Sequence, residues 1–170
     1  PEIHRWSPST GDHAKWQFPD RVGGFVPKAG GGLLVPLADG LYDFDPATGA
    51  IDLRVKSGLP PQVKLHECHC DRQGRFFAGS MDERRAANTA ALWRLDPDLR
   101  FTRVLDDMMV SNGLAWSPDG RTMYHADTPT HVVRAYDYDV ATGTPTNPRA
   151  FARWTAETDR PDGATVDAEG

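Results

Sequence analysis

Two short motifs alternate along this chain, and their recurrence constrains the fold more tightly than any local propensity. One is an aromatic or apolar strand that runs into a turn: "IHRWSPSTG", "GLYDFDPATG", "ALWRLDPDL" and "VRAYDYDVATG". Its Asp-Pro-x-Thr-Gly chemistry is that of a hairpin, because Pro presets φ, Asp bonds its own backbone and Gly accepts a positive φ. The other is a turn followed by an alternating strand: "CDRQGRFFAGS", "SPDGRTMYHAD" and the shorter "VDAEG". The turn glycines of this second motif are Gly74, Gly120 and Gly170, spaced 120 − 74 = 46 and 170 − 120 = 50 residues apart. That is the period of a four-stranded propeller blade. A β-sandwich also uses short strands and regular turns, but it does not require two interleaved motifs to return in the same order. The predicted class is therefore all-β, a propeller of which residues 1–170 make roughly three and a half blades.

Composition narrows the function classes. The 19 Lys+Arg against 24 Asp+Glu leave a formal charge of −5 with no long basic run, so a nucleic acid partner has no electrostatic footing. No apolar run approaches the length of about 18 residues that spans a bilayer, and "PEIHRWSPSTG" lacks the features of a leader. No membrane partner is expected. Cys68 and Cys70 sit too close along one strand for a disulfide framework, and the expected setting is reducing and cytoplasmic. Gly and Pro, 16 and 14 residues, leave few windows for a helix. Arg84 to Ala91 is expected to be a connecting loop with at most one helical turn. The first residue is Pro1 and the last stretch, "PDGATVDAEG", stops where a turn should enter another strand, so blades are expected to be missing on both sides.

Counting eight residues back from each turn glycine selects His66, Asn112 and Asp162 (74 − 8, 120 − 8 and 170 − 8). If this position lies at the inner end of its strand, rotation from blade to blade brings the three side chains together near the axis. An imidazole, an amide oxygen and a carboxylate form a divalent cation site lacking some of its ligands. The other Pro-Asp-Gly triplet, Pro118-Asp119-Gly120, falls in the turn itself and serves as an internal control. In "HECHC", strict alternation puts His66, Cys68 and Cys70 on one face and Glu67 and His69 on the other. Three groups on one strand do not surround a tetrahedral ion, so the cysteines are expected as small buried residues between sheets. Trp6, Trp16, Trp93, Trp116 and Trp154 are expected to pack between blades, and His4, His13, His125 and His131 to be surface or satisfied histidines.

Read together and in order, "CDRQGRFFAGSMDE", "SNGLAWSPDGRTMYHADT" with "AYDYD", and "RPDGATVDAEG" resemble the gluconolactonase/regucalcin (SMP-30) family of six-bladed propellers, over essentially the whole chain. The resemblance implies one divalent cation, Ca2+, Zn2+ or Mg2+, held by a Glu from an early blade, by Asn112 and by Asp162. The Glu-Gly-Pro segment that supplies the first of these has no counterpart here. The resemblance also implies a lactonase that opens a sugar-derived lactone, with Asp162 orienting or deprotonating the attacking water. His66 remains an alternative base. Where the family has Arg-x-Asn-Asp-Gly, this chain has Lys64-Leu65-His66-Glu67-Cys68, so Lys64 and His66 are the expected substrate-binding residues. Two other readings stand beside the lactonase: a non-catalytic calcium-binding propeller, and a hydrolase of aryl esters or organophosphates on the same scaffold.

Overall fold

The computed structural model describes residues 1–155 and 159–170. Fourteen strands follow one another along the described chain: β1 Glu2–Trp6, β2 His13–Gln17, β3 Val26–Pro27, β4 Leu33–Leu37, β5 Gly40–Phe44, β6 Ile51–Lys56, β7 Val63–Cys70, β8 Phe76–Asp82, β9 Ala90–Leu95, β10 Phe101–Met108, β11 Ser111–Trp116, β12 Thr122–Asp127, β13 Val132–Asp139 and β14 Thr144–Arg153. They form three antiparallel four-stranded sheets, β3–β6, β7–β10 and β11–β14, each in simple up-and-down order, and a two-stranded β1–β2 sheet. The expected three and a half blades are therefore present. Among the described residues the helical content is a single 3-10 turn, Thr128–Thr130. Arg84 to Thr89 is a loop between β8 and β9, with no helical turn.

The two sequence motifs correspond to two different corners of a blade. The second motif makes the turn between the first and second strands, β7 to β8 and β11 to β12, where Gly74 and Gly120 adopt φ of +79° and +70°. The first makes the turn between the third and fourth strands. There, Asp45 accepts hydrogen bonds from the Ala47 N–H (2.8 Å) and the Thr48 hydroxyl (3.0 Å). Asp139 does the same for Ala141 (2.9 Å) and Thr142 (2.8 Å) two blades later. By this rule β1 and β2, joined by the first such turn, are the outer half of a blade.

Apolar side chains collect between neighbouring sheets, giving three clusters for three interfaces. Ile3, Phe18, Val35, Leu37 and Phe44 join the β1–β2 pair to β3–β6. Leu41 meets Leu65, Phe76, Ala78, Cys68 and Cys70 at the next interface. Phe77 and Leu92 meet Leu114, Trp116, Met123, Tyr136 and Tyr138 at the third. The cysteines and Trp116 thus pack between sheets as expected. Trp6 and Trp154 do not, being 64% and 39% exposed in this chain.

A polar clamp accompanies the third interface. Asp71, buried in the β7–β8 turn, accepts from its own turn at Gln73 N (2.9 Å) and Arg75 N (2.8 Å), pairs with Arg75 Nε (2.6 Å), and accepts the Tyr138 hydroxyl of the neighbouring blade (2.6 Å). Arg75 and Arg94 then donate to the β13–β14 turn at Ala141 O (3.0 Å) and Thr142 O (2.6 Å), and Arg72 to Trp116 O (3.2 Å). The turns that close one blade thereby grip the next.

Two stability predictions follow from these buried groups. Asp71→Ala strands the Arg75 charge and the Tyr138 hydroxyl, and should cost about 3 kcal/mol in urea unfolding of the full-length protein, against about 1.5 kcal/mol for Tyr138→Phe. Equal, small losses would show that the clamp contributes little. His125, 2% exposed and hydrogen-bonded to Ser111 Oγ at 2.8 Å, is held neutral by burial, which brings its pKa down to about 3. Below the ordinary histidine value of about 6.5 the unfolded chain takes up a proton that the folded chain refuses, so this residue makes stability fall as pH falls. The stability penalty of His125→Asn should accordingly shrink by up to about 1.4 kcal/mol per pH unit below about pH 6. A penalty constant from pH 7 to pH 5 would place the charged imidazole in the fold without cost.

Candidate functional site

The first strands of successive blades, β7 and β11, run past one another, with Glu67 Oε2 accepting from Leu114 N at 3.4 Å. Each carries a bulge close to the residue selected by the repeat register. In β7, Leu65 pairs with Ser80 and Glu67 with Gly79, so His66 is the extra residue with no partner across the ladder. In β11 the pairing passes from Asn112 opposite Ala126 to Ala115 opposite Tyr124, which inserts one residue just after Asn112. A bulge turns the pleat over and re-aims the side chain at the insertion. This corrects the alternation expected in "HECHC". His66 does not share a face with Cys68 and Cys70; Leu65 does, in the β3–β6 interface.

The re-aimed residues meet. His66, Asn112 and Asp162 line one cavity of about 460 Å³, together with Thr128, Arg85 and Arg160. Gly113, in β11 with φ +63°, lets the segment bearing Asp162 close on the strand, since a Cβ there would lie 3.2 Å from Asp162 O. Lys64, expected beside His66, lines a different depression with Asp39 and Lys56.

The orientation of Asn112 follows from counting protons. The Thr128 hydroxyl donates its one proton to Pro161 O (2.9 Å), a group that can only accept. Towards Asn112 that hydroxyl must therefore act as acceptor, and it receives Asn112 Nδ2 at 2.8 Å. The amide oxygen is then turned away from Thr128 and left for a ligand. The same hydroxyl ties the Pro161-Asp162 segment to β11. Asp162 engages Oδ1 with Gly163 N (3.0 Å), leaving Oδ2. Just upstream, the buried Asp127 carboxylate accepts Met109 N (3.1 Å) and Val110 N (2.9 Å), fixing the approach to β11.

The electrostatics favour a neutral imidazole beside a carboxylate. Burial lowers the His66 pKa, the Arg21 charge lowers it further, and Asp162 pulls the other way. Beneath them, burial pushes the Glu67 carboxyl up to about 7, and the Asp162 charge adds to the rise. Glu67 Oε1 has no hydrogen-bond partner among the described residues.

An amide oxygen, a carboxylate oxygen and an imidazole nitrogen around one cavity fit a divalent cation, the oxygens suiting hard ions. Among the described residues no three His, Cys, Asp or Glu side chains gather into a cage by themselves. Sequence reasoning passed over Thr128, Asp127, Glu67 and Arg85. Thr128 closes the stretch "SNGLAWSPDGRTMYHADT", so its place in the motif was visible, but its role depends on Pro161 from a distant segment.

Comparisons with known proteins agree with this architecture. The chain is 37% identical over 172 residues to a 6-deoxy-6-sulfogluconolactonase of Pseudomonas putida, covering 99% of this chain and 58% of that protein. It is 33% identical over 171 residues to regucalcin of Danio rerio, again covering 99% of this chain and 58% of that protein. The fold superposes on the crystal structure of a calcium-binding protein, regucalcin, from Agrobacterium tumefaciens with a TM-score of 0.89 at 24% identity, covering 99% of this chain and 58% of that one. The chain thus spans less than two thirds of these relatives. Three and a half blades in that share correspond to about six blades in their complete ring. The family model of the SMP-30/gluconolactonase/LRE-like region matches residues 1–170, and the chain belongs to that family.

Proposed function

We propose that the protein hydrolyses a sugar-derived lactone to its open-chain acid at the cavity shared by His66, Asn112 and Asp162. The observation that carries this reading is the convergence itself: three residues 46 and 50 positions apart (112 − 66 and 162 − 112) line one cavity. The relative whose name denotes a lactonase extends over nearly all of the chain. In this reading Asn112 Oδ1 and an Asp162 oxygen would hold a divalent cation, with the remaining ligands from water, substrate or other parts of the ring. Such a cation, when bound, acts as a Lewis acid on the lactone carbonyl.

The chain's own residues do the rest. Thr128 keeps the Asn112 amide from rotating, so its oxygen is presented without a reorganisation cost at each turnover. Asp162 orients the attacking water through the oxygen not committed to Gly163 N. His66, neutral at pH 7, can accept a hydrogen bond from a sugar hydroxyl or take a proton from that water. The buried wall of β7 and β11 limits the water around the reacting ester, which strengthens each of these polar contacts.

Two comparisons of variants in the full-length protein test the reading. Asp162→Ala should abolish tight metal binding and nearly all lactone turnover. Asp119→Ala should leave both intact, because Asp119 Oδ1 is spent within its turn on Ser117 Oγ (2.7 Å) and Arg121 N (3.0 Å). Calorimetric metal titration beside a pH-stat lactonase assay measures the contrast, and wild-type values for Asp162→Ala would sink the assignment. Thr128→Val removes the acceptor that orients Asn112 and should weaken metal binding about tenfold, whereas Thr128→Ser should retain it. Equal loss in the two variants would mean that Thr128 acts by packing alone.

A further inference from the structure

The residue after each register position differs in one blade. Asn112 and Asp162 are followed by glycine, Gly113 and Gly163, whereas His66 is followed by Glu67. At Gly113 the gap to the next segment closes by backbone approach, a Cβ there lying 3.2 Å from Asp162 O. Between β7 and β11 the Glu67 side chain bridges the gap instead, reaching Leu114 N.

Glu67 stands opposite Gly79 in the β7–β8 ladder. A Cβ at Gly79 would lie 2.2 Å from Ser111 Oγ, 2.6 Å from Ser111 Cβ and 3.0 Å from Glu67 Cγ, so the missing side chain is what lets Glu67 and β11 meet. The carboxyl then faces the residues on both sides of Asn112. Its Oε2 accepts Leu114 N at 3.4 Å. Burial is the largest influence on the Glu67 pKa and raises it, whereas the Leu114 N–H, the Ser111 hydroxyl and the Gly113 N–H lower it, so three donors of β11 surround this carboxyl. Ser111, fully buried, is anchored in turn by His125 Nε2 at 2.8 Å.

These contacts fall on the part of β11 that its own sheet defines least. Between the pairs Asn112–Ala126 and Ala115–Tyr124, two residues, Gly113 and Leu114, stand opposite the single residue His125. A ladder disrupted in this way does not by itself fix the course of the chain beside Asn112. Thr128 orients the Asn112 amide, but through the side chain alone. Glu67 does not line the cavity with His66, Asn112 and Asp162, so its effect on a bound ion passes through β11.

We propose that Glu67 is a positioning residue of the cation site, holding the chain on both sides of Asn112 so that the amide oxygen stays at the cavity. It acts as a hydrogen-bond acceptor across the blade interface, and not as a charge that attracts the ion through space. This rests on the cation assignment in the reading above, and adds to it the group that fixes the main chain of one ligand.

Full-length protein freed of cation is titrated calorimetrically with Ca2+ and with Zn2+, and the tighter-binding ion is then used to compare wild type, Glu67→Gln, Glu67→Leu and Asn112→Ala. Glu67→Gln keeps an acceptor oxygen and drops the charge, and Glu67→Leu drops both. Affinity should fall about tenfold in Glu67→Leu, as for other groups that orient a metal ligand, and stay within about threefold of wild type in Glu67→Gln. Hydrogen exchange of the Ser111–Trp116 peptide should quicken in Glu67→Leu and not in Glu67→Gln. Should Glu67→Leu fail to fold, Glu67→Ala takes its place with the same expectations. Equal loss of affinity in Glu67→Gln and Glu67→Leu would assign the effect to charge and overturn the proposal. So would wild-type affinity in Glu67→Leu while Asn112→Ala binds weakly, or an affinity loss without quickened exchange; these outcomes leave the cation assignment standing. Wild-type affinity in Asn112→Ala would overturn that assignment and the proposal with it. No lactone enters the measurements, so they decide the matter whether or not a lactone is opened.

Discussion

In β7 and β11 one residue too many is threaded against the neighbouring strand, and the candidate site depends on that mismatch. Without the bulges, strict alternation would group His66 with Cys68 and Cys70 against the β3–β6 sheet, and Asn112 would keep the regular pleat of its strand. The extra residues occur in His66 itself and immediately after Asn112. They turn one side chain from each blade towards a common cavity while Leu65, Cys68 and Cys70 continue to fill the interface behind. A single local irregularity thus lets one strand serve both packing and chemistry, which a two-period strand cannot do at adjacent positions.

The propeller sets the position of those strands by burying apolar residues between blades. The three clusters give each interface its own core, and these contacts are non-directional, so they allow a blade to slide or tilt over its neighbour. The polar clamps remove that freedom. Asp71 meets Tyr138 across an interface at a fixed distance, and Arg72, Arg75 and Arg94 donate to backbone carbonyls of the next blade's turns and strand. Glu67 meets Leu114 N at the inner end of the same interface. Directional bonds at both ends of one interface fix the angle between blades, and that angle decides whether His66 and Asn112 face the same cavity.

Around the cavity, buried carboxylates are used to shape backbone. Asp127 holds Met109 and Val110, and Asp82 holds the loop from Arg84 to Ala87. Each ends the second strand of its blade, so the two loops that border the site are organised by equivalent devices. The first presents β11 and hence Asn112, and the second presents Arg85. Asp162 differs in being exposed, with one oxygen on its own Gly163 N–H, and it is the carboxylate in a position to meet a ligand.

The sequence by itself determined the fold class, the blade period, the two kinds of turn and the register that selects His66, Asn112 and Asp162. Each of these repeats at a fixed interval, because successive blades solve the same hairpin and packing problem and leave the same residue types at the same spacing. It misassigned the face of His66, because a bulge has no period and is decided by how two strands pair. Lys64 was placed beside His66 by motif alone, whereas the pleat sends it to the depression with Asp39 and Lys56. Thr128 and Arg85 were not selected at all. Thr128 acts through a hydroxyl that bridges Asn112, 16 residues upstream, and Pro161, 33 residues downstream. Arg85 reaches the cavity on a loop folded around Asp82. Such roles arise where segments distant in sequence come within hydrogen-bonding range, and a hydroxyl with one proton to give, or a carboxylate already filled by main chain, acquires its direction only once the tertiary structure has brought its partners to it.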